Sequence, residues 1–223
     1  MPSALSKTST SPSKLTSMKK VTAVEKTKKY YDKEFLKWTN TKTNSFYHEK
    51  QFTKIATLWP EKGTIIDIGC AGGIHVPLFL GIGRHLKYLG MDISKSFLKI
   101  ATRRYPQLTF QEGNIADSDT LPKRKFDGFL AVAVLMHIPF EHWDEMSQNI
   151  ETLNKPGAYG YIALPVTHTK GVAPTDDTRH FTILSEDEQQ AYIKSRGWKI
   201  KHAGIMDGFT VESVWRWYIV QLP

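Results

Sequence analysis

The chain has 223 residues, 40% hydrophobic and 23% charged, which is enough to bury one substantial core. It contains no run of about eighteen apolar residues and no apolar stretch at its start, which argues against a membrane span or a secretory signal; a cytoplasmic protein is expected. The single cysteine, Cys70, excludes an internal disulfide and a thiolate-rich zinc site, so metal chemistry would have to rest on His and carboxylates, and no metal site is assigned. The formal net charge of +8 invites a nucleic-acid reading, but residues 1–40 hold nine lysines against Glu25, Asp32 and Glu34. The other residues hold 21 basic and 19 acidic side chains, so the basicity belongs to the N-terminal segment.

Residues 1–20 are rich in Ser, Thr and Lys and are expected to form a disordered tail. Residues 21–58 carry Tyr30, Tyr31, Phe35, Leu36, Trp38, Phe46, Tyr47, Phe52, Ile55 and Leu58 at roughly helical spacing, which predicts a cap of two helices. Residues 59–223 read as one domain. From Thr64 onward short apolar runs alternate with longer amphipathic ones, the pattern of βαβ units on a parallel sheet. Strands are predicted at 64–68, 88–92, 109–112, 129–134 and 159–164. Ser94 is placed as the N-cap of a helix over 95–104, and Ser185 with Glu188 as a capping box opening a helix that ends near Gly197. The runs 199–205 and 213–221 are joined by too short a link for a crossover helix, which predicts an antiparallel pair.

The densest signal is Ile65-Ile66-Asp67-Ile68-Gly69-Cys70-Ala71-Gly72-Gly73, an apolar strand running into small residues and then a helix. Small side chains let a ligand approach the backbone, and the helix start offers free N–H groups. The next strand ends in Asp92, followed by Ile93, where a carboxylate can accept from both hydroxyls of a ribose. Loops that cradle a pyrophosphate do not need an acid before the glycines, because it would repel the phosphates. Asp67 therefore points to a positively charged ligand.

In these residues the chain resembles the class I S-adenosylmethionine-dependent methyltransferases, whose first motif is a strand followed by D-x-G-x-G-x-G. Gly69 and Gly73 match the first and third glycines, Ala71 replaces the second, and Cys70 lies within the loop as a small packing residue. Phe110 to Ile115 is similar to the family's segment after the third strand, with Asn114 where an acid is common. The resemblance implies that the Asn114 amide oxygen and the Ile115 N–H meet the adenine. Phe126 and Asp127 followed by Ala131 and Val132 resemble the fourth strand, and Leu153, Lys155, Pro156 and Gly157 the turn before the fifth. The resemblance implies a seven-stranded, mostly parallel Rossmann-like α/β sheet with helices on both faces and the last strand antiparallel, S-adenosylmethionine as cofactor, and Asp67, Gly69, Cys70, Ala71, Gly73, Asp92, Ile93, Asn114, Ile115, Ala131 and Val132 around it.

Methyl transfer from a sulfonium is an in-line displacement, so positioning supplies much of the acceleration and a general base is optional. His137, at the carboxyl edge of the fourth strand, is the candidate base, with capping or packing as its other role. Tyr47, His168, Arg179 and Arg216 are candidate acceptor contacts, Tyr47 with Tyr30, Tyr31, Trp38 and Phe46 as a lid. The N/D/S-P-P-Y/F/W segment of amino-methylating nucleic-acid enzymes is replaced by Met136-His137-Ile138-Pro139, and Cys70 is misplaced for a cytosine C5 enzyme. A small-molecule acceptor is the expectation. An RNA or protein methyltransferase anchored by the basic N-terminus, a silent methyltransferase-like binding subunit and a nicotinamide dehydrogenase are the other readings.

Overall fold

The computed structural model describes residues 12–39, 48–166, 178–207 and 214–223. Its centre is a seven-stranded sheet in the order β3-β2-β1-β4-β5-β7-β6. The strands are β1 (Thr64–Ile68), β2 (Lys87–Asp92), β3 (Thr109–Glu112), β4 (Phe126–Val132), β5 (Asn154–Val166), β6 (Lys199–Asp207) and β7 (Val214–Gln221). Strands β1 to β5 run parallel, with Ile66 opposite Leu89 on one side and Phe129 on the other. Strand β7 is antiparallel to both neighbours, as a short link requires. Ile65, Ile66, Phe129, Leu130, Tyr161 and Ile219 are fully buried, because parallel strands covered on both faces have no solvent side.

Around the sheet lie α1 (Pro12–Glu34), α2 (Glu49–Ala56), α3 (Val76–Gly81), α4 (Lys95–Arg104), α5 (Trp143–Leu153) and α6 (Glu186–Ser195). Helix α4 starts where Ser94 accepts from the Phe97 N–H, and α6 opens on the predicted capping box of Ser185 and Glu188. No helix among the described residues is long and apolar enough to cross a membrane.

Three boundaries differ most from expectation. Helix α1 begins at Pro12, inside the stretch expected to be disordered. A proline at the first helical position gives up an N–H that has no partner there anyway, and the lysines that follow are good helix formers. Strand β4 starts at Phe126 instead of 129, across Asp127 and Gly128. The Asp127 carboxylate accepts from the Thr64 N–H at 2.9 Å and from Lys155 at 2.7 Å, so its charge is satisfied at the strand's entry. Gly128 is required by the Trp59 indole, whose Nε1 lies 2.1 Å from where a Cβ would stand. Strand β5 starts at Asn154, so the segment read as a turn, with Pro156 and Gly157, belongs to an irregular strand entry where the register with β4 shifts.

The order reverses between β1 and β4: β2 and β3 extend to one side of the pair and β5 to β6 to the other. Their carboxyl ends diverge there and open a crevice, the place where open α/β sheets bind ligands.

Candidate active site

A cavity of about 450 Å³ fills that crevice, lined mostly by apolar side chains. Its floor is the loop after β1. The Gly69 and Cys70 N–H groups donate to the Met91 carbonyl at 2.7 and 3.1 Å, which pins the loop to β2. Gly69 and Ala71 both adopt left-handed backbone, with φ of 73° and 48°. A Cβ on Gly69 would lie 2.6 Å from Val134, so only glycine lets the backbone pass there. Ala71 takes a conformation that costs a non-glycine residue roughly 1 kcal/mol. Ala71→Gly is therefore expected to stabilise the protein by up to about 1 kcal/mol, a midpoint rise of about 2 °C by calorimetry; a lowered midpoint would refute the strain.

Asp92, at the end of β2, joins the loop to helix α4. One carboxylate oxygen accepts from the Ala71 N–H at 2.9 Å and the other from the Ser94 N–H at 2.8 Å. Each oxygen keeps a lone pair, and the residue lines the cavity. Burial outweighs these two bonds and raises the carboxyl's pKa to about 6. Cys70 also lines the cavity, but burial and the nearby carboxylates push its thiol well above the usual range, so it is no nucleophile at neutral pH.

Of the residues expected around the cofactor, Gly69, Cys70, Ala71, Asp92, Ile93, Asn114, Ile115 and Val132 line the cavity. Asp67, Gly73 and Ala131 are not among its lining residues. Asp67 is fully buried beneath the loop, accepts from the Tyr88 hydroxyl at 2.7 Å and lies 3.6 Å from His75 Nδ1. Its register partner in β2 is Gly90, so strand alternation puts it on the same sheet face as Tyr88, two residues earlier. Gly73 is packed against the Tyr105 ring, and Ala131 lies in the interior of the sheet. The Asn114 oxygen, expected on the adenine, accepts from the Ala116 N–H at 3.0 Å and shapes its own turn, although its remaining lone pair is available.

The other half of the cavity lies over the carboxyl ends of β4 and β5. His137 projects from the turn after β4, 7% exposed. Its Nδ1 meets the His180 carbonyl at 2.8 Å, which can only accept, so Nδ1 carries the proton. Nε2 of the neutral ring then accepts from the Tyr31 hydroxyl at 2.8 Å, and Arg179 donates to the Tyr31 oxygen at 3.0 Å. The Arg179 guanidinium also stands over the rings of Tyr30, Trp38 and Phe181 at 4.7, 4.9 and 4.8 Å. Segment 178–184 is tied along the His137 turn by the bond from the Thr182 N–H to the Met136 carbonyl at 2.7 Å.

Helix α1 roofs this half. Thr27 accepts from the His180 N–H at 3.1 Å, Asp32 from the Ser94 hydroxyl at 2.6 Å, and the Thr39 carbonyl from Arg104 at 2.7 Å. Of the expected acceptor contacts, Arg179 lines the cavity and Arg216 does not: Arg216 is ion-paired with Glu186 of α6, because its neighbour Trp215 is the β7 residue that faces the cavity. Tyr47 and His168 lie outside the described residues. Thr27, Asp32 and Ser94 as tethers of the roof were missed. Ser94 was visible only as a helix cap, and nothing in the sequence pairs it with Asp32.

Residues 65–157 match the model of a methyltransferase domain. The chain is similar to the solved 1,6-didemethyltoxoflavin-N1-methyltransferase of Burkholderia thailandensis, at 13% identity over 98% of this chain and 93% of that one, with a TM-score of 0.71. It is also similar to magnesium protoporphyrin IX methyltransferase from Synechocystis, at 16% identity over 88% and 98%, TM-score 0.66. The cyclase SpnF is a third similar structure, at 12% identity over 88% and 94%, TM-score 0.68. No curated protein matches the sequence. Residues 65–157 thus match a methyltransferase domain, and the fold is shared with solved methyltransferases whose cofactor is S-adenosylmethionine. The residues present fit it: a loop that a Cβ on Gly69 would block, a buried carboxylate with spare lone pairs for a ribose, and the β3 turn of Asn114 and Ile115 beside them.

Proposed function

We propose that this protein transfers the methyl group of S-adenosylmethionine to an oxygen, nitrogen or sulfur atom of a small molecule. The observation that carries this reading is the roofed half of the cavity, enclosed by Tyr31, Trp38, Phe181 and Trp215, next to the half with the glycine loop and Asp92. A cavity of about 450 Å³ shared by donor and acceptor suits a small ligand. Two similar proteins whose names state an acceptor, the toxoflavin-precursor and protoporphyrin enzymes, act on small molecules. When bound, S-adenosylmethionine supplies an electrophilic methyl on a positively charged sulfur. Asp92 would hold its ribose hydroxyls, the Gly69–Ala71 backbone would make room for its methionine part, and Asn114 and Ile115 would border the adenine. Asp67, away from the cavity surface, offers no direct contact. The roof residues orient the acceptor and exclude water.

The test is transfer of labelled methyl from S-adenosylmethionine into fractionated cell extract, with RNase and protease treatments, alongside calorimetry with S-adenosylhomocysteine. Label is expected in the low-molecular-mass fraction, insensitive to both enzymes. Label lost to RNase or protease would replace the small acceptor with a macromolecule. Heat on binding without any transfer would favour a silent binding subunit.

A further inference from the structure

His75 stands just past the glycine loop, at the entry to α3, and lines the cavity although it is only 6% exposed. Its ring is wedged on three sides. Nδ1 lies 3.6 Å from Asp67 Oδ2, and the ring meets Phe52 at 5.6 Å and, edge to face, His48 at 5.7 Å. Asp67 Oδ2 already accepts from the Tyr88 hydroxyl, so it presents an acceptor to Nδ1. Nδ1 is buried with no hydrogen-bond partner, so this contact decides between the two tautomers, and the proton of the neutral ring belongs on Nδ1. Nε2 then carries the lone pair, on the ring edge away from Asp67 that meets the cavity. His48, whose Nδ1 meets the Tyr161 hydroxyl at 2.8 Å, has its pKa pushed down to about 3 by burial and by His75. It therefore adds no positive charge beside that lone pair.

Resting on the methyl-transfer reading, we propose that His75 is a specificity-determining residue whose Nε2 accepts from the ammonium group of the cofactor's methionine part. Asp67 acts behind it as a positioning residue that fixes the tautomer. The acid before the glycines thus serves the ligand at one remove, without reaching the cavity itself.

The chemistry of the ring selects the ammonium. A neutral Nε2 can only accept, and at that end of S-adenosylmethionine the ammonium has protons to give whereas the carboxylate has none. Asp92 on the ribose and Asn114 and Ile115 beside the adenine leave the methionine part along the glycine loop, which runs into His75. The cavity lining is mostly apolar, so an ammonium that met no acceptor there would lose its hydration uncompensated. A nucleoside without the amino-acid part leaves Nε2 unused and gains nothing from it.

The test compares S-adenosylhomocysteine with methylthioadenosine, which keeps adenine, ribose and thioether but lacks the ammonium and the carboxylate, by calorimetry on the full-length protein. His75→Phe keeps a planar ring against Phe52 and His48. It is expected to weaken S-adenosylhomocysteine roughly 10- to 100-fold and to leave methylthioadenosine within about twofold, which also reports that the site is folded. His75→Gln, which keeps an acceptor, should recover most of the loss. A ratio of the two affinities unchanged by His75→Phe would overturn the proposal. Ring-nitrogen NMR of the parent protein, with His75 assigned by its disappearance in the His75→Gln spectrum, supplies a measurement independent of any variant's affinity. Nδ1 should be protonated and Nε2 bare, and Nε2 should shift with S-adenosylhomocysteine but not with methylthioadenosine; a protonated Nε2 would overturn the tautomer and the contact together. A parent that binds the two ligands equally would overturn the ammonium contact alone. A parent that binds neither would overturn the methyl-transfer reading beneath it.

Discussion

Asp92→Ala is expected to weaken S-adenosylhomocysteine binding by about 100-fold or more, with the sheet still folded. A hydrogen bond to a charged group contributes about 1.5–3 kcal/mol, and the carboxylate offers one lone pair to each ribose hydroxyl. The substitution also releases the Ala71 and Ser94 N–H groups that Asp92 now holds at 2.9 and 2.8 Å, so loop and helix start lose their common anchor. Asp92→Asn keeps an acceptor oxygen without charge and should fall between. The same residue sets a pH dependence. Its folded pKa, raised from 3.8 to about 6, means that the fold prefers the protonated form. The stability contributed by Asp92 is therefore fully present below the unfolded pKa and is lost as pH rises through about 6. A shift of roughly two units corresponds to about 3 kcal/mol at neutral pH. Hydroxyl donors favour the ionised form, so ligand affinity should run the other way and decline as pH falls through about 6. Calorimetry near pH 6 in buffers of different ionisation enthalpy should detect proton release on binding; no proton release would contradict the role given to Asp92.

Gly69→Ala should both destabilise the fold and abolish cofactor binding. Gly69 has φ of 73°, which costs an L residue about 1–2 kcal/mol, and its new Cβ would lie 2.6 Å from the Cβ and Cγ2 of Val134. Valine is stiff at χ1 and cannot swing aside, so overpacking adds about 1–3 kcal/mol. A fall in melting midpoint of about 10 °C is expected. Gly83 separates the two contributions: its φ is 70° but nothing lies within 4 Å of an added Cβ. Gly83→Ala should show the backbone cost alone, a fall of only about 2–4 °C, with binding intact. Equal losses at the two positions would show that the contact with Val134 contributes little.

The residues of the floor were legible because they follow one another in the chain. The run Ile65 to Ala71 announces a strand and a small-residue loop, and β1 and β3 appear at their expected bounds because their apolar runs have clear ends. Where polar or turn-forming residues interrupt a strand, as at Asp127 and Gly128 or Pro156 and Gly157, the periodic signal breaks although the hydrogen-bonded ladder continues. Asp67 shows a different limit. Its neighbours in sequence marked it as a ligand group, yet the register with β2, which the sequence does not show, brings the Tyr88 hydroxyl to its carboxylate. The roof was legible as helices with aromatic residues but not as a site, since Tyr31 and His137 are 106 positions apart and Arg179 meets Tyr31 across 148.

Helix α1 is tied to the body by hydrogen bonds at Thr27, Tyr31 and Asp32, with Thr39 just beyond, whereas the strands beneath it interlock through a continuous apolar interior. Tyr31 also accepts from Arg179, and its ring packs against Phe97 at 5.6 Å, so the roof is held at its surface by mixed polar and aromatic contacts. Elements held that way open locally more readily than a sheet with an apolar interior, so the amides of α1 are expected to exchange hydrogen faster than those of β1; equal protection would show that roof and sheet open together.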